Sequence, residues 1–378
     1  MARRSKAAGT TRRSGRFFRE YTAGLRREDL RRLFDRDAAE AYAVLTRDQP
    51  AGAEPKGGAK RLFYRARLLF LGLSYKLSPP RRVLFAAALL FAVLGVAQVS
   101  FVVDQAGVDV HLDASPFFSA LSIGCLLFLL ALELVDRVRV RDELEVARQL
   151  QRELLPRQAP ALPGLAFAHS YRTANEVGGD YYDFIPLPDG RLVLVAGDAS
   201  GHGMAAGLLM AIANATLHTA VDIDPRPRPA AAMLNRALCR SGGRRAFMTL
   251  FYGLFELAGG RFDFLCAGHP YPLLRRSDGT VAELGTGGLP LGLREELDFA
   301  EDSVTFAPGD LLLLYTDGVP EAVNAAGQAF GFDRLTALVR EGGGAQAVHD
   351  RVLAAFDSHL ASGALTDDLS LVVVEQLS

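Results

Sequence analysis

The chain has 378 residues, too many for one small domain, and a formal net charge of −1. Hydrophobic residues make up 49% of it, which supplies a core and excludes wholesale disorder. The near-neutral total conceals an asymmetry: residues 1–82 carry 21 Lys and Arg against 8 Asp and Glu, and the remainder carries 21 against 35.

A basic head on an acidic body implies two parts with different surroundings. Residues 1–60 read as a basic, largely disordered cytoplasmic tail with breaks at Pro50-Ala51-Gly52 and Gly57-Gly58. Propensity allows a short helix from Arg27 to Leu45. These arginines have no aromatic interleaving and no recognition motif, so no nucleic-acid partner is expected. Anionic lipid headgroups are the better partner, at about 1 kcal/mol per basic residue near the surface. Residues 61–82 mix aromatic and basic side chains, as an amphipathic interfacial segment does.

Val83 to Val103 is a run of 21 residues without a charge, interrupted only by Gln98 and Ser100. At about 1.5 Å per residue it crosses a hydrocarbon layer of about 30 Å. Residues 116–135 form a second such run, with Glu133 near its end. Buried helices of a soluble protein are the alternative; length, lack of charge and pairing across a short loop argue for two membrane spans. The loop Asp104 to Asp113 has three acids and no Lys or Arg, whereas Lys76, Arg81, Arg82, Arg137, Arg139 and Arg141 flank the pair. That distribution places both termini and the body in the cytoplasm, on an inner or plasma membrane.

Residues 136–156 read as a linker helix ended by Pro156. Val140, Leu144, Ala147, Gln151 and Leu154 follow heptad-like steps, which suits pairing with a second copy. A core helix of the following domain would show the same stripe. From residue 160 to 376 short β-rich runs alternate with helical blocks. The runs are Arg191–Ala196, Phe247–Leu257, Arg261–Cys266, Asp310–Tyr315 and Leu369–Glu375. The helical blocks are His202–Val221, Ala230–Leu238, Phe332–Arg340 and Ala345–Leu360. The pattern is that of an α+β body with antiparallel sheets. Cys125, Cys239 and Cys266 supply neither a disulfide framework nor a zinc motif, consistent with a reducing compartment.

Carboxylates recur at strand ends. Asp180 follows Gly178-Gly179, Asp198 precedes Ala199-Ser200-Gly201, Asp317 precedes Gly318, and Asp367-Asp368 follow Thr366. One such residue is usually a turn or cap. Four of them imply a shared pocket, in which desolvated acids repel unless a cation lies between them. Oxygen ligands without a Cys or His cluster select Mg²⁺ or Mn²⁺, and two such ions can clamp a phosphoryl group.

These segments carry a resemblance. Glu176-Val-Gly-Gly-Asp180-Tyr-Tyr-Asp183, Gly197-Asp198-Ala-Ser-Gly-His-Gly203, Ala267-Gly-His-Pro270, Gly288-Leu-Pro-Leu-Gly292, Thr316-Asp-Gly318 and Thr366-Asp-Asp368 follow the entry ARQLQRELLP in order. Together they resemble the SpoIIE/RsbU-type branch of the PPM serine/threonine protein phosphatases, over roughly Leu144 to Glu375. The resemblance implies a sandwich of two antiparallel sheets flanked by helices, with two Mn²⁺ or Mg²⁺ ions. By motif match Asp180 and Asp198 are the catalytic ligands, Asp198 bridging, with the Ala199 carbonyl, Asp317 and Asp367 completing the set. Gly179, Gly201 and Asp368 would support them from behind, and Asp183 would either do the same or face a helix. The implied reaction is in-line attack of metal-bound hydroxide on phosphoserine or phosphothreonine. The implied substrate is a phosphorylated STAS-type anti-sigma-factor antagonist protein. His202 and His269 read as structural, which leaves the general acid unassigned. The alternative is a membrane-tethered binding module whose phosphatase fold no longer turns over.

Overall fold

A computed structural model describes residues 44–45, 57–97, 100–105, 108–201, 203–241, 246–361, 363 and 365–377. The chain divides into two units, residues 1–137 and 138–378. The tail expected over 1–60 lies almost wholly outside the described residues, as does the helix from Arg27, apart from Val44 and Leu45.

In the first unit α1 (Gly58–Lys76) is followed by α2 (Pro79–Val96), β1 (Ser100–Gln105), β2 (Val108–Asp113) and the start of α3 (Ser115–Leu154). Pro79 opens α2, where its missing N–H costs nothing. The apolar helix ends at Val96, seven residues before the expected Val103. Phe101, Val102 and Val103 instead pair antiparallel with Leu112, His111 and Val110. Aromatic and β-branched side chains suit a pleated ribbon better than a helix end. α3 is one helix of 40 residues, in which the expected span at 116–135 runs without a break into the expected linker helix from 136. Arginines at 137, 139 and 141 change its surface without breaking its hydrogen bonds.

α2 and the first half of α3 meet through small residues. Ser122 Oγ donates to the Ala88 carbonyl at 2.8 Å, and a Cβ at Gly95 would sit 3.1 Å from the Ser119 nitrogen. Such close approach is how helices associate without a hydrophobic drive between them. At the base of the pair Arg81 bonds Glu133 at 2.8 Å and Asp136 at 2.6 Å. Both helices are long and apolar enough to cross a membrane. So is Met204–Ile223, but seven of its residues are buried in the second unit's core.

The second unit holds β3 (Leu165–Arg172), β4 (Asp180–Pro186), β5 (Arg191–Ala199), α4 (Met204–Ile223), α5 (Pro227–Ser241), β6 (Met248–Glu256), β7 (Arg261–Ala267), β8 (Leu273–Arg275), β9 (Val281–Glu283), β10 (Glu301–Thr305), β11 (Leu311–Tyr315), α6 (Phe332–Arg340), α7 (Ala345–Leu360) and β12 (Leu369–Gln376). One antiparallel sheet runs β10-β7-β6-β5-β4 and the other β3-β12-β11-β8-β9. Tyr182 and Phe184 of the first meet Phe167 and His169 of the second. α4 and α5 cover the first sheet, and α6 and α7 the second. With both faces covered, β5 and β11 are apolar nearly throughout. This is the sandwich flanked by helices that the sequence led us to expect.

The end of α3 belongs to this unit. Gln151 is 4% exposed, Leu155 is part of the core, and Leu154 packs against it. The C-terminal part of the heptad-like stripe is therefore used inside the unit, as the core-helix alternative requires.

Candidate metal centre

β4 and β5 pair so that Asp180 lies opposite Asp198. Side chains alternate along β4, and the even positions face the second sheet. Asp180 points inward and is 1% exposed. Its Oδ2 accepts hydrogen bonds from Thr316 Oγ1 at 2.7 Å and Ser370 Oγ at 2.9 Å. Ser370 N also donates to Thr316 Oγ1, at 2.9 Å. One buried carboxylate thus ties β4 to the residue before Asp317 and to the strand that follows Asp367-Asp368.

Burial, then the neighbouring Asp317, Asp367 and Asp368, pushes Asp198 up to about 8. Burial and the charge of Asp198 raise Asp180 well above its ordinary value, against the pull of Thr316 and Ser370. Asp317 is raised by burial and then by Asp367 and Glu321. Asp198 is thus influenced by Asp317, Asp367 and Asp368, and Asp180 by Asp198 and Asp368. Among the described residues, however, no three His, Cys, Asp or Glu side chains stand together closely enough to hold a metal ion.

Glycines bring the oxygens together. A Cβ on Gly179 would lie 2.7 Å from the Ala199 carbonyl oxygen and 3.1 Å from Asp198 Oδ1. Only a residue without a side chain leaves those two oxygens converging on that space. Asp368 holds the same loop, accepting from Ala174 N at 2.8 Å and Gly179 N at 2.6 Å. Gln151 clamps the preceding residue: its Nε2 donates to the Gly178 carbonyl at 2.5 Å and its Oε1 accepts from Gly178 N at 2.9 Å. The donor set of carboxylates and one backbone carbonyl suits hard divalent cations such as Mg²⁺ or Mn²⁺.

Asp183 is not in this cluster. It faces α4 on the other side of β4, where Tyr181 Oη donates to its Oδ2 at 2.8 Å and His218 Nε2 lies 2.9 Å away. The odd positions of the strand carry it away from Asp180, so of its two expected roles it takes that of a helix-facing polar residue. Gly201 lies in the loop after Asp198 at φ 95°, a turn that only glycine takes without strain. His202 lies outside the described residues.

Sequence reasoning passed over four residues that the fold brings to the acids: Thr249, Thr316, Ser370 and Tyr171. Thr249 Oγ1 accepts from the Asp198 amide at 3.2 Å and bonds His269 Nδ1 at 2.9 Å. Burial lowers His269 to about 3, which keeps it neutral. Tyr171 bonds Gln151 at 3.2 Å, and burial, followed by the charges of Asp368 and Asp180, raises its hydroxyl. The Thr beside Asp317 and the Ser two residues after Asp368 were visible signals, since hydroxyls next to strand-end acids are the usual donors to them.

Comparison with known proteins places the chain in a family. The family model for stage II sporulation protein E, SpoIIE, matches residues 188–376. The phosphoserine phosphatase RsbU of Bacillus subtilis is 27% identical over 183 residues, covering 48% of this chain and 54% of that protein. Protein IcfG of Synechocystis is 27% identical over 274 residues, covering 65% of this chain and 43% of its own. The chain thus spans about half the length of the curated relatives it matches. Among solved structures, the RsbU and RsbW domains of a Mycobacterium tuberculosis protein share 29% identity at a TM-score of 0.52, covering 58% of this chain and 63% of theirs. The SiaA-PP2C domain of Pseudomonas aeruginosa shares the fold, at 22% identity and a TM-score of 0.56, covering 64% of this chain and 99% of that one. This chain belongs to the SpoIIE family.

Proposed function

We propose that this SpoIIE-family chain is a membrane-anchored, divalent-metal-dependent protein-serine/threonine phosphatase. The observation that carries the reading is the coupled set of Asp180, Asp198, Asp317 and Asp367 at one end of the sandwich. Two ions would be held by Asp180, Asp198, the Ala199 carbonyl, Asp317 and Asp367. When bound, such ions polarise a phosphoryl group and lower the pKa of a coordinated water.

The chain's own work is to place and hold those oxygens. Thr316 and Ser370 fix Asp180, Thr249 fixes the Asp198 amide, and Asp368 fixes the Gly179 loop. Asp180 is buried and Asp198 and Asp317 are half-buried, so water screens their charges less and their hold on a cation would be stronger.

The substrate in this reading is a phosphorylated STAS-type anti-sigma-factor antagonist. Support comes from relatives named phosphoserine phosphatase and stage II sporulation protein. α2 and the first half of α3 anchor the chain, with both termini cytoplasmic, supported by the distribution of arginines and acids around them. The rest of α3 sets activity, since Gln151 grips Gly178 and the Leu154 carbonyl accepts from Asn214 on α4. The exposed Val138, Val146 and Leu150 on that helix offer a face for a second copy.

Full-length protein assayed on phosphoserine peptides with Mn²⁺ and with chelator tests the reading. Turnover that needs Mn²⁺ and vanishes in Asp198→Asn supports it. No difference between wild type and Asp198→Asn would leave the alternative, a phosphatase fold serving only as a binding module.

A further inference from the structure

A cavity of about 300 Å³ is lined by His269, Pro270, Tyr271, Glu283, Tyr315 and Phe332. It lies at the same end of the sandwich as the acids. Tyr315 closes β11 and is followed directly by Thr316 and Asp317. His269 follows β7 and bonds Thr249, which holds the Asp198 amide. β8 carries Tyr271 to this end, because Leu273 pairs with Leu313.

The walls are chemically specific. Tyr315 and Phe332 meet edge to face with centroids 6.4 Å apart. Phe332 is 50% exposed, although it is a large apolar ring on the first turn of α6. The Tyr271 ring lies so close over Gly285 that any Cβ there would overlap it, which fixes the ring's position. Glu283 is exposed at the end of β9 and, among the described residues, has no ion-pair partner. No Lys or Arg lines the cavity. His269 adds no positive charge, since burial holds it neutral. Three aromatic rings and one carboxylate, with nothing cationic, make a receptor for a cation, which lies over ring faces and pairs with the acid.

We propose that this cavity receives an arginine or lysine side chain of the phosphoprotein substrate, and so selects phosphorylated sites with a basic residue at a fixed spacing. The idea rests on the phosphatase reading of the neighbouring acids. A cation held here while the phosphate sits at Asp198 and Asp317 is most simply one tethered to that phosphate through the substrate's backbone, which is why a side chain rather than a free amine is the occupant.

The test uses the full-length protein with Mn²⁺ and a set of phosphoserine peptides. In the set a single arginine steps from four residues before the phosphoserine to four residues after it, with alanine elsewhere. One or two placements should raise kcat/KM about tenfold, through KM. Glu283→Lys should bring those peptides back to the level of the all-alanine peptide within the same preparation. A flat series, with p-nitrophenyl phosphate still hydrolysed, overturns the cavity's role. Failure to hydrolyse p-nitrophenyl phosphate counts against the phosphatase reading instead. In that event fluorescence anisotropy of the same labelled peptides still decides: arginine-dependent binding lost in Glu283→Lys supports the cavity, and equal binding of every peptide overturns it.

Discussion

Gly318→Ala is the most informative single change near the acids. Gly318 follows Asp317, and a Cβ on it would overlap the Asp368 carbonyl oxygen and sit 2.9 Å from that carbonyl carbon. The obstacle is backbone, which cannot rotate away as a side chain tip can. Restoring an ordinary contact of about 3.4 Å requires the loop at Asp317 and the loop at Asp367-Asp368 to part by about 1 Å or more. Overpacking of this kind costs about 1–3 kcal/mol of stability. The functional loss should be larger, because a misplacement of about 1 Å in a catalytic constellation costs on the order of a hundredfold in rate. Thermal unfolding and Mn²⁺-dependent phosphopeptide turnover, measured on the same preparation, check both parts. A Gly318→Ala protein with wild-type turnover would show that Asp317 and Asp367 need not approach each other, and the proposed arrangement would be wrong.

Further predictions concern the supports and the titrating groups. Replacing both Thr316 and Ser370 by alanine leaves buried Asp180 without its two hydroxyl donors. Stability should fall by about 2–4 kcal/mol in denaturant titration, and turnover should fall with it. Asp198, raised to about 8, keeps a proton that a cation must displace. Apparent Mn²⁺ affinity should therefore climb up to tenfold per pH unit as pH rises toward 8, and a flat profile by calorimetry contradicts this. Bonded to Asp183, His218 is held above its ordinary value of 6.5. Its contribution is fully present below pH 6.5 and lost as pH rises through the elevated value. The gap in melting temperature between wild type and His218→Gln should accordingly be wide at acid pH and close at alkaline pH. Asp310, 1% exposed and bonded to Arg276, Ser277 N and Ala307 N, sits at the opposite end of β11. Asp310→Ala should cost about 3 kcal/mol while leaving the Mn²⁺ requirement of the folded fraction unchanged.

Much of this was legible in the sequence because it rests on local pattern. The apolar runs at β5, β11 and β12, the helices at α4 to α7, and the four strand-end acids all announce themselves through composition and flanking glycines. Strand β4 was harder to see, because DYYDFIP is a polar and aromatic string whose burial comes from partners on two different layers. The same pleat decides the fate of its two acids. Asp180 turns toward the second sheet and Asp183 toward α4, a distinction that needs the strand's register and not its motif. The end of α2 was misplaced because hydropathy alone does not separate a long span from a shorter helix followed by a β-branched ribbon. Gln151 is the one polar member of the heptad-like stripe. Its partner, the backbone of Gly178, lies 27 residues away and is brought there only by the packing of α3 on β4 and α4.

Calorimetric titration of Mn²⁺ into the full-length protein bears most directly on the role of the acids. Wild type should take up two ions, and Asp198→Asn, folded by its melting curve, should lose at least one of them together with turnover. Two ions bound with unaltered affinity in Asp198→Asn would contradict the assignment of this cluster as the metal centre.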